Sequence, residues 1–116
     1  MEDRREGYGP MALDIDPERL FNPQGVAHGG ASNSLADTAM GGALTTRIAD
    51  DHWCATIEVK MNYHVGIRAG RLICEANVFH AGKRVGNIDA RLYQGAVLVG
   101  SANGNFAIFP VPATPR

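Results

Sequence analysis

Gly29-Gly30-Ala31-Ser32-Asn33-Ser34-Leu35-Ala36-Asp37-Thr38-Ala39-Met40-Gly41-Gly42-Ala43-Leu44 is the stretch on which the fold turns. Leu35, Ala39 and Gly42 recur at helical spacing, and so do Ala36, Met40, Ala43 and Leu44. The pattern predicts a helix from Ala31 to about Ile48. Glycine inside a helix costs about 1 kcal/mol relative to alanine. A helix this rich in glycine, serine and alanine gives up stability to let other backbone come close. It is apolar nearly all round, which predicts that it is buried.

The flanking sequence alternates instead. Met11, Leu13 and Ile15 alternate with Ala12, Asp14 and Asp16, a short strand ended by Pro17. A loop rich in turn formers, Phe21 to Gly30, leads into the helix. Beyond it, Ala55, Ile57, Val59, Met61 and Tyr63 alternate with Thr56, Glu58, Lys60, Asn62 and His64 in an unbroken period of two. Leu72 to Phe79 is the next strand, Ala81-Gly82 a hairpin turn, and Arg84 to Tyr93 the strand behind it. Gln94-Gly95 turns the chain again into a long strand, Ala96 to Phe109, and Pro110, Pro112 and Pro115 close the chain as a tail. Short turns predict that the last four strands form an antiparallel meander. One apolar helix against one antiparallel sheet is an α+β layer pair. A twisted sheet curls around such a central buried helix, which is the hotdog fold.

Composition narrows the function classes. At 116 residues, 45% hydrophobic and 20% charged, the chain reads as a single globular domain over 1–116. A net charge of -1 argues against an electrostatic hold on nucleic acid. No apolar run approaches the roughly 18 residues of a membrane span, and Met1 to Gly7 is too charged to be a signal-peptide core. The expectation is a cytoplasmic protein. A chain this short builds a modest core, so burial through oligomerisation is expected. Cys54 and Cys74 are the only cysteines, with no CxxC, and read as reduced, half-buried thiols. His52, His64 and His80 show no metal-ligand spacing, so neither a metal nor a cofactor is expected.

Chemistry concentrates where the helix begins. The first N–H groups of a helix lack intrahelical partners and sit at the positive end of its dipole. His28-Gly29-Gly30 falls there, and glycine lets a ligand oxygen approach the backbone closely. Such a site suits a polarised carbonyl or an oxyanion; the two glycines equally make a tight turn. Asp37 lies two turns on, among Leu35, Ala36, Met40 and Ala43, on a face shared with Asn33, Ser34 and Gly41. A carboxylate in a buried helix needs a partner, a metal or a chemical role. A structural carboxylate held by local hydroxyls is the alternative reading.

Asn22-Pro23-Gln24-Gly25-Val26-Ala27-His28-Gly29-Gly30 followed by Leu35-Ala36-Asp37-Thr38-Ala39-Met40-Gly41 resembles the signature of the PaaI-like hotdog acyl-CoA thioesterases. The resemblance runs on through Thr56 to Tyr63 and Gly70 to Phe109. It implies hydrolysis of an aryl-acyl or medium-chain acyl-CoA. Asp37 would be nucleophile or general base, and the Gly29 N–H would polarise the thioester carbonyl. His28 and Asn22 would place the carbonyl or the water, and Thr56 would orient the carboxylate or the water. Gly30, with Lys83 and Arg84 in a hairpin like one that contacts nucleotide in this family, would meet CoA; a solvated turn is the plainer reading of either cation. The family builds its site between subunits, so the resemblance implies a homodimer or homotetramer. Its members commonly carry a further N-terminal segment that helps close the acyl pocket; here the first strand is expected almost at once after Met1 to Gly9, which bears on acyl specificity. Two other readings of the fold stand beside this one: an acyl-thioester hydratase or dehydratase using His28 and Asp37, and a non-catalytic acyl-CoA-binding hotdog.

Overall fold

The computed structural model describes residues 7–15 and 29–112. The elements in chain order are β1 (Tyr8–Ile15), α1 (Gly29–Thr45), β2 (His52–Tyr63), β3 (Gly70–Ala81), β4 (Val85–Gln94) and β5 (Val97–Pro110). The strands form one five-stranded sheet in the order β1-β3-β4-β5-β2, and every neighbouring pair is antiparallel. Leu35, Ala36, Ala39, Met40, Ala43 and Leu44 of α1 pack against Leu72, Cys74, Ile88 and Leu92 of the sheet, all buried. This is the hotdog architecture, with α1 beginning two residues earlier and ending three residues earlier than its periodicity predicted.

Only β3, β4 and β5 form the expected meander. Strand β2 does not fold back on β3 but pairs along the far side of β5, and β1 takes the place beside β3. The reason lies in the connection, residues 64–69. An extended segment of this length reaches about 20 Å, whereas three strand spacings measure about 14 Å. The connection is therefore long enough to cross the end of the sheet, and hydrogen bonds hold it along that course. His64 N–H and Val65 N–H both donate to Val99 O, at 2.9 and 3.2 Å. Arg68 N–H donates to Gln94 Oε1 at 3.0 Å, and Gln94 Nε2 donates back to Arg68 O at 2.8 Å. Ile67, only 3% exposed, plugs the core beneath.

Backbone comes close to the helix at Ala39 and Ala43, and the glycines that allow the tightest packing lie in the strands. A Cβ added at Gly9 of β1 would stand 3.1 Å from Ala39 O and 3.3 Å from Ala43 N. At Gly86 it would meet Leu44 Cδ1 at 2.7 Å, and at Gly104 Met40 Sδ at 2.7 Å. The helix is not buried all round, however. Asn33, Ser34, Thr38 and Thr45 are exposed and Asp37 is half-buried. A single sheet curls over one side of the cylinder and leaves the other open; the polar residues stand on the open side.

Strand β2 also departs from its unbroken alternation. It carries an extra residue between Thr56 and Glu58. Cys54 lies on the helix side before this bulge, Val59 and Met61 lie there after it, and Ile57 is left 57% exposed. Cys74 is fully buried, not half-buried, and burial pushes its thiol up to about 12. No described helix is long and apolar enough to cross a membrane.

Candidate active site

Asp37 stands on the open strip of α1, level with the middle of β2. Thr56 Oγ1 donates to Asp37 Oδ1 at 2.6 Å, across 19 residues of sequence. That length suits a charge-assisted hydroxyl–carboxylate bond. The hydroxyl fixes one carboxylate oxygen and thereby orients the other. The helix tolerates aspartate here because β2, a sheet edge, leaves the carboxylate in contact with solvent. The sheet thus brings together two residues that the sequence places on different elements.

Helix α1 starts at Gly29, so the N–H groups of Gly29 and Gly30 fall in its first turn, where intrahelical acceptors are lacking. Eight residues separate Gly29 from Asp37, about 12 Å along a helix axis. One carbonyl cannot touch both within a single chain. Asn22 and His28 lie outside the described residues. Near the same end of the helix, buried Ser32 donates from Oγ to the Tyr63 hydroxyl at 3.1 Å. Edge strand β2 is therefore tied to α1 at three levels, through Tyr63, through Thr56, and through Cys54, whose Sγ lies 4.0 Å from Gly41 O.

Lys83 and Arg84 fall in the β3–β4 connection; Arg84, expected to open the next strand, stands just before β4. A cavity of about 320 Å³ opens there, lined by Arg47, Ile48, Ala49, His52, Ala81, Gly82, Lys83 and Ile108. Arg84 is not in its lining; its carbonyl accepts the Ile108 N–H at 2.7 Å. That Arg47 and His52 line the same cavity as Lys83 was not legible, because it depends on how the sheet curls past the end of the helix. His52 Nδ1 lies 2.8 Å from Asp51 Oδ1, and this hydrogen bond, with the attraction of the ring, holds the Asp51 carboxyl below its ordinary value. Among the described residues no group of three or more His, Cys, Asp or Glu side chains is placed to hold a metal ion.

Sequence and fold match a known class. Residues 24–100 fit the model of the thioesterase superfamily, and the chain belongs to that family. Among curated proteins, PA1618 of Pseudomonas aeruginosa, which carries a provisional esterase name, is 34% identical over 84 residues. That match takes in 70% of this chain and 56% of PA1618, so the chain spans little more than half of that relative. The solved structure of the conserved protein PA5202 from Pseudomonas aeruginosa superposes with a TM-score of 0.84 at 36% identity, covering 90% of this chain and 82% of that one. The BH2602 protein of Bacillus halodurans, solved with CoA, superposes at 0.81 and 27% identity over 86% of this chain and 66% of its own.

Proposed function

We propose that this chain, as one domain over 1–116, is a cytoplasmic acyl-CoA thioesterase that hydrolyses aryl-acyl or medium-chain thioesters. The observation that carries the reading is the Thr56–Asp37 hydrogen bond at 2.6 Å on the open side of α1. In hydrolysis, water adds to the thioester carbonyl, the C–S bond breaks, and CoA leaves as a thiolate that takes up a proton. Asp37 takes the proton from the attacking water, or attacks the carbonyl itself to give an anhydride that water then opens. Thr56 holds Oδ1, so Oδ2 is the working oxygen. The Gly29 N–H and the helix dipole stabilise the negative charge that develops on the carbonyl oxygen. His28 and Asn22 place the carbonyl or the water.

The distance of about 12 Å along the helix between Gly29 and Asp37 supports a composite site. One subunit supplies Gly29 and the other supplies Asp37 with Thr56, in a homodimer or a homotetramer built from it. The β2 edge, unpaired among the described residues, suits that seam. Gly30 would lie against CoA near the thioester, and Lys83 and Arg84 would meet its phosphates. Lys83 shares the lining of the same cavity with the Arg47 guanidinium and the His52 ring. The CoA-bound relative supports the choice of ligand.

The test is release of free thiol from a panel of aryl, short, medium and long acyl-CoA esters, comparing wild type with Asp37→Asn. Turnover by wild type and its loss in the variant is the expected result. A hydratase or a binding protein would release no thiol from any ester, and turnover that survives Asp37→Asn would overturn the mechanism.

A further inference from the structure

Strand β2 pairs with β5 in two registers. Up to the bulge, Trp53 stands opposite Phe109, Cys54 opposite Ile108 and Thr56 opposite Phe106; beyond it, Glu58 stands opposite Asn105, Val59 opposite Gly104 and Met61 opposite Ala102. Ile57 is the residue left over. Each register has its own fastening on the outer face of the sheet. Trp53 and Phe109 meet edge to face, with ring centres 6.5 Å apart and planes at 87°. Asn105 Nδ2 donates to Glu58 Oε1 at 2.9 Å, and Asn105 Oδ1 accepts from Asn87 Nδ2 at 2.8 Å. The bulge is what remains when both fastenings are satisfied.

The sequence alone favours a different arrangement. If the second register ran through the whole strand, Ile57 would turn inward opposite Phe106, and Trp53 would stand opposite Pro110. A one-residue slip moves every side chain to the other face, so Thr56 would point away from Asp37. Burial of Ile57, now 57% exposed, favours that slip. On the inner face, Cys54 and the Thr56 hydroxyl oppose it. On the outer face the aromatic pair opposes it, and that pair touches neither Asp37 nor the helix start.

We propose that Trp53 and Phe109 are positioning residues: their contact behind the sheet holds the register that turns Thr56 toward Asp37. The inference rests on the reading of Asp37 and Thr56 as the hydrolytic pair. It predicts that removing the contact impairs chemistry without touching the site, and that removing the reward for the slip restores it.

The experiment is thiol release from the best acyl-CoA ester by wild type, Phe109→Ala, Ile57→Ser and the double variant. Phe109→Ala should lower kcat about tenfold, the effect of losing one hydrogen bond to a charged group, with KM within about twofold. Ile57→Ser alone should stay near wild type, and the double variant should recover most of kcat. A loss of packing alone would not be repaired by Ile57→Ser. An unchanged kcat in Phe109→Ala, or a loss that Ile57→Ser leaves in place, overturns the proposal. Trp53→Ala carries the same test if Phe109→Ala does not fold. Wild type inactive on every ester would instead overturn the thioesterase reading. The register is then followed by cross-strand NMR contacts in Phe109→Ala, where Thr56 still opposite Phe106 defeats the proposal and Ile57 opposite Phe106 supports it.

Discussion

The two sides of α1 are built for different purposes. The packed side, Leu35, Ala36, Ala39, Met40, Ala43 and Leu44, is almost inaccessible to solvent. The open side, Asn33, Ser34, Asp37, Thr38 and Thr45, carries polar groups in a strip that, among the described residues, only the edge strand β2 reaches. One side holds the helix in place at distances set by Gly9, Gly86 and Gly104. The other presents a single carboxylate, oriented by a hydroxyl from the neighbouring strand. Stability and chemistry are separated by half a turn of one helix, so substitutions on the two sides should fail in different ways.

Asp37→Asn should remove about 10³-fold of kcat, within the usual contribution of a general base, and leave the melting temperature close to wild type; a large drop in melting temperature would join the two sides again. Leu44→Ala should do the reverse. The side chain is fully buried and seated against Gly86, so its loss should cost about 3 kcal/mol in denaturant unfolding with kcat nearly unchanged in the folded protein. Gly29→Pro removes one N–H at a position where proline is tolerated in a helix. It should lower kcat about 10²-fold without unfolding the helix by circular dichroism. Thr56→Val keeps the shape of the side chain and deletes the donor to Asp37, and should lower kcat about tenfold. The smallest effect lies outside both sides. His52 lowers the Asp51 carboxyl from its ordinary value of 3.8, so this pair adds stability above that value and loses it as pH falls through the lowered one. Asp51→Asn should therefore be slightly less stable than wild type at pH 7, and the difference should close in acid, as read by thermal melts across pH.

Much of this was legible beforehand, and the rest was hidden for definite reasons. Helical spacing from Leu35 to Leu44 and alternation in the strands give the elements. The motif from His28 to Asp37 points to the family, whose model spans residues 24–100. The pairing of β2 with β5 was not legible, because strand order follows from what a connection can cross and not from periodicity. The open strip on α1 was legible as a polar notch around Asp37, Asn33, Ser34 and Gly41, but its extension to Thr38 and Thr45 was obscured because small residues pass for core. The bulge at Ile57 could not be read at all: Ala55 to Tyr63 alternates without a break, and the extra residue appears only once Phe109 and Asn105 fix the partner strand at two points.

The same bulge bears on how the protein behaves when crowded. A twelve-residue strand at a sheet edge, if straight and regular, would offer its unpaired N–H and C=O groups to any extended segment, the first step of aggregation. The extra residue interrupts that row, and the charged side chains of Glu58 and Lys60 follow it at once. A chance strand therefore meets a broken template. The irregularity that turns Thr56 toward Asp37 thus also blunts the strand edge against aggregation.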